Sequence, residues 1–128
     1  MDVTDARAAL RERHAREIAV RVFAVVSSKW GLRLLEEIAA GTGRFRALHR
    51  ALAPISHRIL THTLRDLERH GLIARHDHRT ANPRVDYTVT EAGAHLLTTV
   101  HGMCDWSRGY LDTLLDAPAH RAADEGRG

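Results

Sequence analysis

The spacing of apolar residues changes period twice along this chain, and no other feature constrains the fold as much. Up to His70 the apolar positions recur every three or four residues. From Leu72 to Val89 they alternate, and from Thr90 the longer spacing returns. A period near 3.6 marks helices with one buried side, and a period of 2 marks a half-buried strand. The chain therefore reads as a run of helices, one hairpin and a closing helix. Its 128 residues are about one domain's worth.

The first helix is expected over residues 4–26, with Thr4 as N-cap and Ala15, Ile18, Ala19, Val22, Phe23 and Val26 along one stripe. Ser27 and Ser28 interrupt it. A second helix runs over 29–40, where Trp30, Leu34 and Ile38 share a buried face. Gly41 follows, where a C-cap needs a residue tolerant of positive φ. A short third helix covers 44–52, with Phe45, Leu48 and Leu52 on one side. Pro54 ends it, because the residue before a proline is pushed out of the helical region. Ser56 caps a fourth helix that reaches Arg69 and closes at His70-Gly71. Strands are expected over 72–76 and 85–89, joined by a polar loop that ends in Asn82-Pro83. Thr90 caps a last helix reaching Leu115. The stretch 118–128 is Ala, Gly and charge, and is expected to be disordered. Two short helices followed by a hairpin make a winged helix-turn-helix. The sequence thus predicts a mainly α fold with a β-hairpin wing, one domain over 1–117, with the helix-turn-helix at 44–69 and the wing at 72–89.

Charge is concentrated in that central part. Residues 44–84 carry nine Arg, three acids and six of the ten His, whereas residues 91–128 carry three Arg and six acids. A local basic field suits a polyanion, nucleic acid first; a solvated basic surface is the plain alternative. One cysteine, Cys104, excludes an internal disulfide framework and a multi-cysteine zinc site. The longest apolar run, Val22 to Val26, is too short to span a bilayer, and no secretory leader is recognisable, so a cytoplasmic protein is expected.

On a helical wheel of the fourth helix, Leu60, Leu64 and Leu67 fall on one side. Arg58, His62, Arg65 and Arg69 fall on the other, at i, i+4, i+7 and i+11, with Thr61 beside them and His57 in the first turn. In helix-turn-helix proteins this second helix enters the major groove, where guanine offers N7 and O6 to a bidentate Arg. The helix N-terminus suits a phosphate. The stripe itself holds no acid, so it does not read as a salt-bridge ladder. Arg58, His62 and Arg65 are the candidate base contacts. Ser56, His57, Thr61 and, on the wing, Arg79, Asn82 and Arg84 are candidates for the rest of the DNA contact.

These residues resemble the HxlR family of bacterial winged helix-turn-helix regulators. The likeness covers Ser27 to Trp106. It is carried by Lys29-Trp30, Arg44-Phe45 with Leu48, Ile55-Ser56 with Arg58, Leu60-Thr61 and Leu64-Arg65-Asp66-Leu67-Glu68. Gly71-Leu72-Ile73, Arg75, Asn82-Pro83, Val85-Asp86-Tyr87, Thr88-Val89-Thr90-Glu91-Ala92-Gly93 and Trp106 complete it. The resemblance implies a homodimer that binds double-stranded DNA at a pseudo-palindromic operator, with helices 4–26 and 90–115 forming the dimer interface. Ile18, Val22, Phe23, Val100, Met103, Trp106 and Leu111 are then the candidates for that interface or for a ligand cavity within it. Redox- or aldehyde-sensing members carry a cysteine in the first helix. Here Glu17 stands twelve residues before Lys29, so that route is absent.

Other signals carry less. Cys104 is expected to be a buried or interface thiol. The His residues lack metal-ligand spacing, so no metal and no cofactor are expected. Trp30, Phe45 and Tyr87 are expected in the core. No Gly-rich phosphate loop, nucleophile elbow or metalloprotease helix is present, which argues against an enzyme. The expected function is a homodimeric repressor answering a small-molecule or stress signal. The alternatives are a MarR- or PadR-like ligand-responsive regulator, or a winged-helix protein–protein module without specific DNA binding.

Overall fold

The computed structural model describes residues 2–82 and 84–125. In order these form α1 (Val3–Val26), α2 (Gly31–Ala39), α3 (Phe45–Ala51), α4 (His57–Arg69), β1 (Ile73–His78), β2 (Arg84–Val89), α5 (Glu91–Gly109), α6 (Leu111–Leu115) and α7 (Pro118–Glu125). The chain groups into two compact units, one ending at Ala94 and one beginning at His95, where the sequence suggests a single domain.

In the first unit the leucines form the core the periodicity anticipates. Leu34, Leu35 and Ile38 of α2, Leu48 of α3, Leu60, Leu64 and Leu67 of α4, and Leu52, Ile55, Leu72 and Ile73 are all buried. Each fully buried aliphatic side chain contributes roughly 1.5–3 kcal/mol through loss of apolar surface to water. That core fixes the exposed side of α4 by exclusion.

The helix ends follow local chemistry. Ser56 Oγ accepts the Ile59 backbone N–H at 3.1 Å and starts α4. Thr90 Oγ1 accepts the Gly93 N–H at 3.1 Å and donates to the Gly71 carbonyl at 2.7 Å, which ties the start of α5 to the turn after α4. Gly41 and Gly71 have φ of 107° and 78°, a region closed to most L-residues. The expected Thr4 cap is not used. Helix α1 begins at Val3 with Asp2 as N-cap and no side-chain bond.

The hairpin is antiparallel, with Ile73 opposite Val89 and His78 opposite Arg84. β1 begins one residue later than expected and runs on to His78, and β2 begins one residue earlier, at Arg84; across the pair His76 Nε2 meets Thr88 Oγ1 at 2.7 Å and His78 meets Asp86. The α2–α3 connection runs beside β2: Tyr87 N–H donates to the Gly43 carbonyl at 2.9 Å, and Arg44 forms a bridge with Asp86.

Three expectations are corrected. The last long helix breaks after Gly109, and Tyr110 (φ −118°, ψ 22°) leads into α6. Glycine is a poor helix former, which makes this a natural place to stop. Residues 118–125 are helical, not disordered. Pro118 stands first in α7, where its fixed φ suits a helix start, and alanines follow. Residues 126–128 and Pro83 lie outside the described residues. Trp30, Phe45 and Tyr87 are half-buried, not core. The Trp30 ring lies under the Arg33 guanidinium at 4.9 Å and the Lys29 ammonium at 5.4 Å, so it packs against cations at the start of α2. Among the described residues no helix is long and apolar enough to cross a membrane, and no three His, Cys, Asp or Glu side chains gather as a metal cage.

Candidate nucleic-acid interface

Helix α4 turns Leu60, Leu64 and Leu67 inward and leaves Ser56, His57, Arg58, His62 and Arg65 exposed, with Thr61 half-buried beside them. A shallow concavity of about 440 Å³ runs along this face, lined by His57, Arg58, Thr61, His62 and Arg65. A second, of about 510 Å³, is lined by Ser56, Arg58, Ile59 and His62. All six candidates proposed on this helix therefore share one surface.

The stripe is less uniform than its sequence suggests. Asp66, a quarter exposed, pairs with His62 at 3.4 Å and Arg69 at 2.7 Å. On a wheel it falls off the stripe's centre, yet it is four residues from His62 and three from Arg69, within reach along a helix surface. Arg58 and Arg65 have no ion pair among the described residues. His57 is drawn toward α3, where its ring lies 4.2 Å from His49 and 5.3 Å from Phe45. Ser56 uses its oxygen as a cap, and its hydroxyl proton is left to donate.

The wing divides in the same manner. Arg79 and Asn82 are exposed at the tip. Arg84 lies 3.5 Å from Asp86, and the same carboxylate takes His78 at 2.9 Å and Arg44 at 3.6 Å. Asp86 thus joins β1, β2 and the start of α3. Its Oδ1 has no hydrogen bond, because the Arg44 contact is beyond hydrogen-bond length.

Sequence reasoning missed Ile59. It is 41% exposed on the α4 surface beside Arg58 and His62, off the leucine stripe by its own position on the wheel. It also missed that Arg65 and Thr61 border a second cavity, formed with Phe45, Leu64, Glu68, Arg75 and Tyr87.

The residues named for pairing between chains lie as follows. On α1, Ile18 and Phe23 are exposed and Val22 is half-buried. On α5, Met103 and Trp106 are exposed, Val100 is half-buried, and the Trp106 ring lies 6.0 Å from that of Tyr110. Leu111 is exposed on α6. Cys104, expected to be a buried or interface thiol, is exposed in the single chain, and Arg108, four residues on, is engaged by Asp105.

A profile of HxlR-like helix-turn-helix proteins matches residues 25–114. An HTH-type transcriptional regulator of Methanothermobacter thermautotrophicus is 35% identical over 85 residues, 66% of this chain and 65% of that protein. The HTH-type transcriptional regulator YdeP of Bacillus subtilis is 34% identical over 101 residues, 79% of each chain. Among solved structures, a transcriptional regulator from Enterococcus faecalis, described as of the MarR family, superposes with a TM-score of 0.69 at 32% identity. That match covers 80% of this chain and 93% of the other.

Proposed function

The chain belongs to the HxlR-like helix-turn-helix family, a non-enzymatic class of transcription regulators, and from that premise we propose that it is a homodimeric, sequence-specific repressor. It docks α4 in the major groove of a pseudo-palindromic operator and blocks transcription by occupying the site. The observation that carries this reading is the face of α4 itself, where Arg58 and Arg65, guanidinium groups with no ion pair among the described residues, flank Thr61 and His62 over a leucine core. Arg58, His62 and Arg65 read base edges. Ile59 offers a surface for a thymine methyl group. Ser56, His57 and Thr61 meet the backbone near the helix N-terminus, and Arg79 and Asn82 reach it from the wing. Arg84 contributes less, being engaged by Asp86.

Pairing of two copies covers apolar side chains that one copy leaves in water: Phe23 on α1, Met103 and Trp106 on α5, and Leu111 on α6, all about half exposed. Two recognition helices then sit about 34 Å apart, one turn of duplex. The protein works in the cytoplasm, and its DNA affinity answers a small-molecule or stress signal.

The test compares two variants on DNA from the region upstream of the protein's own gene, by fluorescence anisotropy across a salt series. Arg58→Ala costs about 1–3 kcal/mol and relaxes preference at one base position. Arg79→Ala weakens all sequences alike and lowers the salt slope by about one. Operator binding by Arg58→Ala that matches the unmodified protein overturns the assignment of α4. Affinity that never exceeds that for unrelated DNA favours a protein–protein module instead.

A further inference from the structure

Beside the exposed face of α4 lies a half-open cavity of about 410 Å³, bordered by α3, α4 and both strands of the wing. Its size is that of a small-molecule site. Three apolar side chains line it: Phe45, Leu64 and Tyr87. Its polar groups are the Thr61 hydroxyl, the Arg65 and Arg75 guanidinium groups and the Glu68 carboxylate. Two rings select a flat hydrophobic body. Two guanidinium groups select a carboxylate, which they can bind in bidentate fashion. Arg75 has only a long contact to Asp77, at 3.9 Å, and Arg65 has no ion pair among the described residues, so both forks are open to a ligand. Glu68 limits the guest to a single negative charge.

We propose that this cavity binds a small aromatic carboxylate and that the guest competes with DNA. The coupling follows from shared residues, since Thr61 and Arg65 line both this cavity and the outer face of α4. An Arg65 held by a carboxylate inside the cavity is withdrawn from the groove. Linkage then requires DNA to weaken the guest by the same factor as the guest weakens DNA. This regulation rests on the DNA-binding reading above, whereas occupancy of the cavity does not.

The full-length protein is titrated with 2-naphthoate by calorimetry without DNA, with acetate and inorganic phosphate as controls. Saturable binding of 2-naphthoate is expected, with neither control displacing it. Arg75→Gln, at a position exposed enough to leave the fold intact, weakens binding about tenfold by removing one charge-assisted bond. Glu68→Gln tightens it by removing a like charge. Opposite signs from two neighbouring changes are not what loss of structure produces. The second arm repeats the operator titration with 2-naphthoate present. DNA binding weakens in the unmodified protein, and the same weakening in Arg75→Gln needs about tenfold more 2-naphthoate. Absence of saturable binding, equal displacement by phosphate, or equal affinity in Arg75→Gln overturns the proposal while DNA binding stands. Naphthoate binding by a protein that binds no DNA supports the cavity and overturns the regulatory reading alone.

Discussion

Asp86 offers a perturbation in which stability and DNA affinity move in opposite directions. Its carboxylate, 25% exposed, faces Arg44, His78 and Arg84 at 3.6, 2.9 and 3.5 Å. The three partners are between 39% and 62% exposed, so each contact is screened by water and contributes about 0.2–1 kcal/mol. Asp86→Asn keeps the size of the side chain and removes its charge. The expected loss of stability is therefore about 1–2 kcal/mol in urea unfolding. DNA binding changes the other way, because the substitution frees Arg84 on the wing and Arg44 at the start of α3. One additional phosphate contact steepens the salt dependence by about 0.9 in log–log slope, so affinity falls about 3.5-fold further between 50 and 200 mM salt. Binding at low salt tightens correspondingly. The assay is anisotropy with operator and with unrelated duplex at several salt concentrations, beside the unfolding curve. A slope that stays the same or becomes shallower refutes the reasoning, since Asp86 would then hold the wing in place without restraining its cations.

Other consequences follow from single contacts. A Cβ at Gly93 would lie 2.1 Å from the Leu72 carbonyl oxygen and 2.8 Å from Val89 Cγ2, so Gly93→Ala forces α5 off the turn after α4. It should lose about 1–3 kcal/mol, read as a lowered midpoint in chemical unfolding; an unchanged midpoint disproves the packing argument. Trp106→Asp places a charge on an exposed apolar helix and should shift the protein to monomer in sedimentation velocity, with operator binding lost in step. A dimer that persists removes α5 from the interface. Cys104→Ser should respond to oxidant as the unmodified protein does, because the acidic Asp105 stands beside Cys104 and already engages Arg108, the nearby cation. A strong oxidant effect that disappears in Cys104→Ser makes the thiol a sensor after all.

The fold could be read from the sequence where local chemistry decides it. Ser56 and Thr90 cap their helices, Gly41 and Gly71 take the positive φ their turns need, and the leucine stripe of α4 is buried. These signals act within four residues, so no partner from elsewhere in the chain was required. The half-burial of Trp30, Phe45 and Tyr87 was not readable in the same way. Aromatic size suggests a core, but Trp30 packs under two cations and the other two rings wall a cavity. The break at Tyr110 and the helical stretch 118–125 were obscured because an apolar stripe continues past Gly109 and because an alanine-rich tail resembles a disordered one by composition.

Counting basic residues overstates the free positive charge for a physical reason. A charge contributes most to binding where no anion already holds it, and two half-buried aspartates hold five of the basic side chains of the central segment. Asp66 takes His62 and Arg69, and Asp86 takes His78, Arg84 and Arg44. The first set obeys i,i+3 and i,i+4 spacing, but the wheel, which places Asp66 off the stripe's centre, hid it. The Arg44 contact depends on a loop lying beside β2 and was not readable. A cation already paired exchanges one anion for another when DNA arrives, and its net gain is small. An unpaired guanidinium loses side-chain freedom on ordering but gains a charge-assisted bond that it lacked. Among the candidate DNA contacts, Arg58 and Arg65 on α4 and Arg79 on the wing are the arginines in that position. Affinity should therefore follow these three more closely than the nine arginines of the segment, and the paired residues should set the angle at which α4 and the wing meet the duplex.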